Sequence, residues 1–498
     1  MLLERKQATR AAPVWLAAGT LTLLFAYHGR WSIPAAAWIF AIFLLRFTRT
    51  SRVLPGVLGV WLAYAVGGTF SMVEFGLPVA GLLYVLVLIG GSVLVVPYLL
   101  DRLLVPRLRS GLLASLVFPT AMVGAEYILS MASPLGTVLN SLAATQHQNL
   151  PLIQLAAVTG PYGVSFLLAW FATTVLLVAE RGRTAWAAAG IYGAVLALVL
   201  AGGMIRIAAF APDAPTVRVA AVSPSAAVNA RLDALRHRYG SARALADGDP
   251  ATVRPVFDEI SADLLATTER EATAGAKIVV WPEAGAPVRA ADRPALIRRI
   301  ADVARRTGTY VEAGLVTLTA DAPYFARNQA VLVDPQGSAV WTYDKAHPVP
   351  GMDRIAPGDG RVPTVATPYG LLANAICFDA DFPDLMRQRA GVDLMLVPSN
   401  DWAQAGRAHT EKAALRAVEN GYSLIRSDNH GVSGAFDPLG RSVGSTDYFT
   451  TDRQAMVVSV PTRGLRTPYT AIGDVFAWLC LTGLAALAAV AYREVGQR

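Results

Sequence analysis

Apolar runs of about 20 residues crowd the first 210 positions of this chain, and few folds accept them. A helix needs ~20 mostly apolar residues to cross a bilayer. Within hydrocarbon, backbone polar groups have to be satisfied inside the spanning element, which favours helices over open sheets. Seven such runs precede the middle of the chain, at about 12–28, 31–47, 53–72, 77–100, 111–131, 162–180 and 185–208, and an eighth lies at about 470–491. The second is short. Only 16% of residues are charged and the mean hydropathy is +0.42, which fits a membrane protein with one substantial water-exposed part. The first run is not read as a cleaved leader, because no small-residue cleavage site precedes a polar start and more spans follow.

Lys and Arg placement predicts the orientation, since cytoplasmic loops carry the basic excess. Arg5, Lys6 and Arg10 precede the first span; Arg46, Arg49 and Arg52 separate the second and third; Arg102, Arg107 and Arg109 separate the fourth and fifth; Arg181 and Arg183 separate the sixth and seventh; Arg493 and Arg498 follow the eighth. The alternate loops carry Arg30, Glu74 and, over 132–161, no Lys or Arg. Both termini are therefore expected inside, with the long polar segment between the seventh and eighth spans outside. The formal net charge of +7 is topology signal plus surface charge. No basic run with interleaved aromatics marks a nucleic-acid footprint, so no nucleic-acid partner is expected.

Three positions in the polar segment invite chemistry. Cys377 ends the apolar run LLANAICFDADFPD, and the only other cysteine, Cys480, lies in the last apolar run. A lone thiol is most often a small core hydrophobe, but two other segments change its reading. KIVVWPEAGAP carries Glu283 just beyond a β-like run, and SAVWTYDKAHPVPGMD carries Lys345 just beyond another. Ends of strands are where sheets present site residues. Taken singly, Glu283 is an ordinary loop carboxylate and Lys345 a solvated charge; in the order Glu, Lys, Cys, 62 and 32 residues apart, coincidence is a poor account.

That order resembles the Glu–Lys–Cys triad of the nitrilase, or carbon–nitrogen hydrolase, superfamily. WPEAGAP, YDKAHPVP and ICFDADFPD stand where that superfamily has its three motifs, NQAVLVDPQGSAVWTYDK resembles the hairpin before its lysine, and LMLVPSNDWAQ with AHTEKAALRAVENGYSLIRSDNHGVS resembles the far wall of such sites. With the membrane runs, and with the segment SLAATQHQNLPLIQLAAVTGPYGVSFL, the chain resembles the apolipoprotein N-acyltransferase family of the bacterial envelope. The resemblance implies an α-helical transmembrane bundle (1–210), an external α-β-β-α nitrilase-like sandwich (211–465) and a closing helix with a short tail (466–498), in the bacterial cytoplasmic membrane. It implies that a phospholipid ester acylates Cys377, with Glu283 as general base and Lys345 or the Phe378 N–H as oxyanion donors. The acyl group then passes to the α-amine of a diacylglyceryl-cysteine on a lipoprotein. Neither a cofactor nor a metal is expected.

The chain also departs from the family pattern. Phe378 and Asp379 replace a Tyr-Glu pair after the cysteine, Asp353 replaces a glutamate eight positions past the lysine, and VAAVSPSAAVNARLDAL lacks the usual Gln-Gly-Asn opening. These departures keep open a membrane-tethered amidase, or a transferase with another acceptor. Glu419 stands where the family has a glutamate, and reads either as a partner to Lys345 or as a surface ion pair. With Phe378, the residues Asp379, Asp353 and Glu419 are the substrate-binding or oxyanion positions that the resemblance implies; Asp379, Asp381 and Asp384 read as a solvated acidic loop sooner than as a metal site, His409 as a surface residue or contact, and Tyr324 and Asn328 as hairpin packing. RLDALRHRYGSARALADGDPATVRPVFDEISADLLATTEREATAGA reads as helix, loop and helix covering a sheet face.

Overall fold

The computed structural model describes residues 2–137, 141–209, 215–451 and 454–497, with side chains from residue 11. The side chains of Arg5, Lys6 and Arg10 lie outside that description, as do Arg498 and the expected boundary at 210/211. The chain forms two units, Met1–Phe210 with Pro468–Arg498, and Ala211–Thr467.

The first unit is helical. Its long helices are α1 (Leu2–Leu23), α2 (Pro34–Thr50), α3 (Val53–Glu74), α4 (Gly81–Leu104), α5 (Gly111–Ala132), α6 (Pro161–Arg181), α7 (Trp186–Ala209) and, after the second unit, α12 (Val475–Gly496). A helix therefore stands at each of the eight expected places. Among the described residues, five stretches are long and apolar enough to cross a membrane, and one of them, Pro161–Ala209, contains both α6 and α7; the 17-residue α2 and the apolar part of α1, Ala11–Leu23, are shorter. Leu58, Leu62, Leu82, Ile89, Leu198 and Leu479 are among many large apolar side chains left exposed, as a bilayer solvent requires. The basic ends of several helices meet. Arg49 donates to Asp101 at 2.7 and 2.8 Å and to Glu180 at 2.7 Å, tying the C-terminal ends of α2, α4 and α6. The Arg109 N–H donates to Glu494 on α12 at 2.8 Å. Cys480 is buried beside Val123, Tyr162 and Ala477, so it serves this unit as a core residue.

The second unit has two sheets between helices. Its elements are β1 (Thr216–Val222), α8 (Ala226–Tyr239), α9 (Pro250–Thr273), β2 (Ile278–Val280), β3 (Ala286–Arg289), α10 (Arg293–Thr307), β4 (Tyr310–Leu318), β5 (Ala326–Val333), β6 (Ala339–Asp344), β7 (Thr364–Thr367), β8 (Gly370–Asn374), β9 (Leu394–Asn400), α11 (Gly406–Asn420), β10 (Ser423–Asn429), β11 (Val432–Phe436), β12 (Ser442–Asp447) and β13 (Ala455–Pro461). The first sheet runs β13-β1-β2-β4-β5-β6 with β3 on β4, and the second runs β12-β11-β10-β9-β8-β7.

Side chains alternate across each strand. On β1, Val217, Val219 and Ala221 face the second sheet, where they join Leu372, Leu394, Leu396 and Ile425 in one core. Ala220 and Val222 face the other way and pack with Leu232, Phe257, Ile260 and Ile300 of α8, α9 and α10. The helix–loop–helix expected over 231–276 is α8 and α9 on that outer face. Helix α11 lies on β10 and β11, closing the α-β-β-α order.

Glu312 is a buried carboxyl between the sheets. It is fully buried on β4, and its Oε1 accepts from the Trp341 indole at 3.1 Å while Oε2 has no hydrogen-bond partner among the described residues. The Asn374 amide, turned so that its NH2 group faces Glu312, donates to Oε1 at 2.8 Å from the second sheet. Burial raises the carboxyl to about 8 against the relief from Trp341. The folded protein thus holds a proton that the unfolded chain releases above pH ~4.5, so this group's contribution to stability falls as pH rises from there to about 8. Glu312→Gln is expected to unfold at a higher temperature than the parent at pH 8, by on the order of 2–4 kcal/mol of stability, with the gap closing toward pH 5. Thermal unfolding in detergent at both pH values checks this.

Candidate active site

Strand ends deliver the three predicted residues to one place. Glu283 follows β2, Lys345 follows β6 and Cys377 follows β8. The Lys345 ammonium lies 2.8 Å from Glu283 Oε1 and 2.7 Å from Asp353 Oδ2, with its side chain only 2% exposed. The Cys377 thiol lies in the same buried space, where it and the Glu283 carboxylate shift each other's protonation. Asp353 also accepts from the Val349 N–H at 2.9 Å, which curls the loop after Lys345 back over its side chain.

Local backbone makes this convergence possible. Cys377 has φ +49°, a left-handed conformation that few non-glycine residues adopt, and it opens a short 3₁₀ turn, Cys377–Asp381. Such conformations cost about 1–3 kcal/mol and persist only where the surroundings impose them. Ala284, next to Glu283, has φ +50°. In the 3₁₀ turn the Phe378 N–H precedes the first hydrogen-bonded residue. Among the described residues no backbone carbonyl takes it up.

Electrostatics follow burial. Burial raises Glu283 above the usual carboxylate range, with Lys345 pulling it down and Asp353 pushing it up. Burial alone would depress Lys345, but Glu283, Cys377 and Asp353 outweigh it and hold the ammonium well above its ordinary value. Burial and then the Glu283 charge push the Cys377 thiol well up, against the pull of Arg426 and Lys345. The resting thiol therefore keeps its proton, with a base of raised affinity beside it.

Of the other expected residues, Asp379 anchors loops. Its buried carboxylate accepts from Tyr343 Oη at 2.8 Å, from the Ile376 N–H at 3.1 Å and from the His347 N–H at 2.8 Å, tying the lysine loop to the cysteine turn. The solvated acidic loop expected at 379–384 is not observed for Asp379 and Asp381, both buried, and Asp381 accepts from Lys412 at 2.5 Å. Phe378 is buried with its ring edge-on to Phe382. Glu419 is fully buried and pairs with Arg416, whose Nε donates to the Ala380 carbonyl at 3.0 Å, so it supports the cysteine turn and is no surface ion pair.

Asn328 is more than hairpin packing: its Nδ2 donates to Glu283 Oε1 at 2.6 Å and its carbonyl accepts from the Lys345 N–H at 2.9 Å. Its position opposite the lysine in the hairpin was the available signal. Tyr324 is 42% exposed and does not pack the hairpin. Of the two readings of His409, the contact holds: its Nδ1 lies 2.7 Å from Asp401 Oδ1. Asp401 and Arg426, unmarked in the sequence, join the site: Arg426 Nη2 lies 2.8 Å from Asp401 Oδ2 and 3.8 Å from Cys377 Sγ.

This constellation, on a two-sheet sandwich in a chain with a helical membrane unit, defines a membrane enzyme of the carbon–nitrogen hydrolase class. The carbon-nitrogen hydrolase family model matches residues 250–462, and that of the apolipoprotein N-acyltransferase N-terminal domain matches residues 17–174. The chain is 30% identical over 420 residues to an apolipoprotein N-acyltransferase of Geobacter metallireducens, covering 77% of this chain and 75% of that protein. It is 29% identical over 231 residues to the one of Photobacterium profundum, covering 40% and 44%. Among solved structures, an amidase from Nesterenkonia sp. aligns with 53% of this chain and 95% of its own at 20% identity and a TM-score of 0.40. The chain belongs to the apolipoprotein N-acyltransferase family. It is a multi-pass bacterial membrane protein.

Close backbone approach behind Glu283 yields a test. A Cβ on Gly314 of β4 would collide with the Pro282 carbonyl and crowd Glu283 Cα. Neither neighbour is a flexible side chain, so the Glu283 turn has to move. Gly314→Ala is expected to lower stability by about 1–3 kcal/mol and to reduce activity further than that loss explains, checked by thermal unfolding together with turnover at a temperature where the variant is folded.

Proposed function

We propose that this chain transfers a fatty acyl group from a phospholipid, through a thioester on Cys377, to the α-amino group of a diacylglyceryl-cysteine at the N-terminus of lipoproteins. The observation that carries this reading is the buried ion pair of Glu283 with the Lys345 ammonium, within electrostatic reach of the Cys377 thiol, in a chain of this family. Glu283 takes the thiol proton as Sγ attacks the ester carbonyl. Negative charge collects on the carbonyl oxygen, where the Lys345 ammonium and the Phe378 N–H are the available donors. Collapse expels the lysophospholipid alkoxide, which takes the proton from Glu283. In the second half the amine attacks the thioester, Glu283 accepts its proton, the C–S bond breaks, and the proton returns to sulfur.

Transfer requires the amine to outcompete water at ~55 M. Fixed attack geometry supplies effective molarities up to ~10⁵–10⁸ M, and the buried setting of Lys345 and Cys377 favours water exclusion. An acyl thioester on Cys377 is expected to be long-lived without acceptor. A diacylated lipopeptide with a free N-terminus should discharge it, and the N-acetylated form should not. Intact mass with phospholipid, and neutral hydroxylamine release, check this; Cys377→Ser should abolish the adduct. Thioester decay in water as fast as it forms, with free fatty acid the sole product at any lipopeptide concentration, would instead assign a hydrolase.

The same reading places the second unit on the external, periplasmic side, supported by the joined basic ends of α2, α4 and α6. An alkaline phosphatase fusion after Gly275 is then expected to be active and one after Arg109 inactive. Activity at Arg109 would overturn the orientation.

A further inference from the structure

Glu283 and Lys345 reach the thiol from the first sheet, but a second charged group arrives from the other. Arg426 and Asp428, two apart on β10, share a face; Ser427 between them points the opposite way and donates to the Val280 carbonyl at 2.9 Å. The Arg426 side chain is 4% exposed. One nitrogen, Nη2, serves both Asp401 Oδ2 at 2.8 Å and Cys377 Sγ at 3.8 Å. Asp428 Oδ2 lies 3.5 Å from Arg426 Nε. Burying a guanidinium is costly without carboxylate partners, so the arrangement is built.

We propose that Arg426 is a catalytic cation that stabilises the Cys377 thiolate, as nucleophile in the first half-reaction and as leaving group in the second, and that Asp401 is the residue positioning it. This rests on the acyl-transfer reading above. When Glu283 removes the thiol proton, the negative charge formed on sulfur lies against the Arg426 guanidinium; when the amine adduct collapses, the electron pair of the breaking C–S bond returns to the same place. Asp401 fixes the guanidinium on one side and meets His409 on the other. Burial would raise Asp401, but His409 and Arg426 outweigh it and hold it well below the usual carboxylate range, while burial and the Asp401 charge push Asp428 well up. The charged groups acting on the sulfur are then Glu283, Arg426, Asp401 and Lys345, and of the two cations Arg426 exerts the larger pull. Arginine suits the role because its charge persists at any working pH.

The test uses the full chain in detergent with Cys480→Ala, so that one thiol remains, and follows alkylation of Cys377 by iodoacetamide against pH by intact mass. Arg426→Gln is expected to slow alkylation at pH 7 by about 10-fold or more and to move its midpoint up by about one pH unit or more, with Arg426→Lys recovering part of both. Should Arg426→Gln unfold because Asp401 loses its partner, the double variant Arg426→Gln, Asp401→Asn removes one charge of each sign, and the same direction is expected. An unchanged or lowered midpoint in the folded variants overturns the proposal. Alkylation needs no acyl donor. A parent protein that forms no thioester would therefore defeat the acyl-transfer reading alone, and a normal thioester with unmoved alkylation would defeat the Arg426 assignment alone.

Discussion

The Lys345 ammonium sits almost wholly out of water, and the rest of the site is arranged around that fact. A buried cation without partners loses its charge or unfolds its surroundings. Here two carboxylates meet it, Glu283 from the strand-end turn after β2 and Asp353 from the loop that follows the lysine itself. Each is committed by backbone as well as charge. Glu283 is tethered by its N–H to the Ser399 carbonyl at 3.2 Å, and the Gly358 N–H returns to the Lys345 carbonyl at 2.8 Å. The ion pair therefore fixes two turns, and the thiol is placed against the result.

The departures from the family's usual residues read differently once their contacts are known. Asp379 is a shorter carboxylate than glutamate, yet it accepts hydrogen bonds from both the lysine loop and the cysteine turn, so its work is to hold those segments together. Asp353 likewise reaches Lys345 despite its shorter side chain, because the loop from Val349 bends toward the ammonium. Both short carboxylates reach their partners through backbone placement, and Glu283, Lys345 and Cys377 still share one buried space.

The site draws on both sheets, which explains its mixture of strain and charge. Left-handed backbone at Cys377 and Ala284 turns each chain sharply out of its strand. In the buried interior a low effective dielectric strengthens every pairing. That is why burial dominates the protonation of Glu283, Cys377 and Asp428 alike.

Membrane runs, basic-loop asymmetry and the Glu, Lys, Cys order were legible in the sequence because each is local: hydropathy over about 20 residues, charge between runs, and an ionisable group after a β-like run. The helices fall at the eight expected places, and the sandwich follows from strands whose apolar residues alternate. Asn328, Asp401, His409 and Arg426 were not legible as individual site residues, since they meet partners 8 to 49 positions away, and polar residues in a strand or helix look alike whether solvated or buried. Glu419 and Asp379 could be marked but not given roles, because pairing with Arg416 or anchoring two loops depends on which segments the sheets bring together. Sequence determined which groups this protein has for chemistry and which parts are apolar enough for a membrane. Only tertiary structure decided which charges share a buried space, because that depends on strand order and register, which no local pattern encodes.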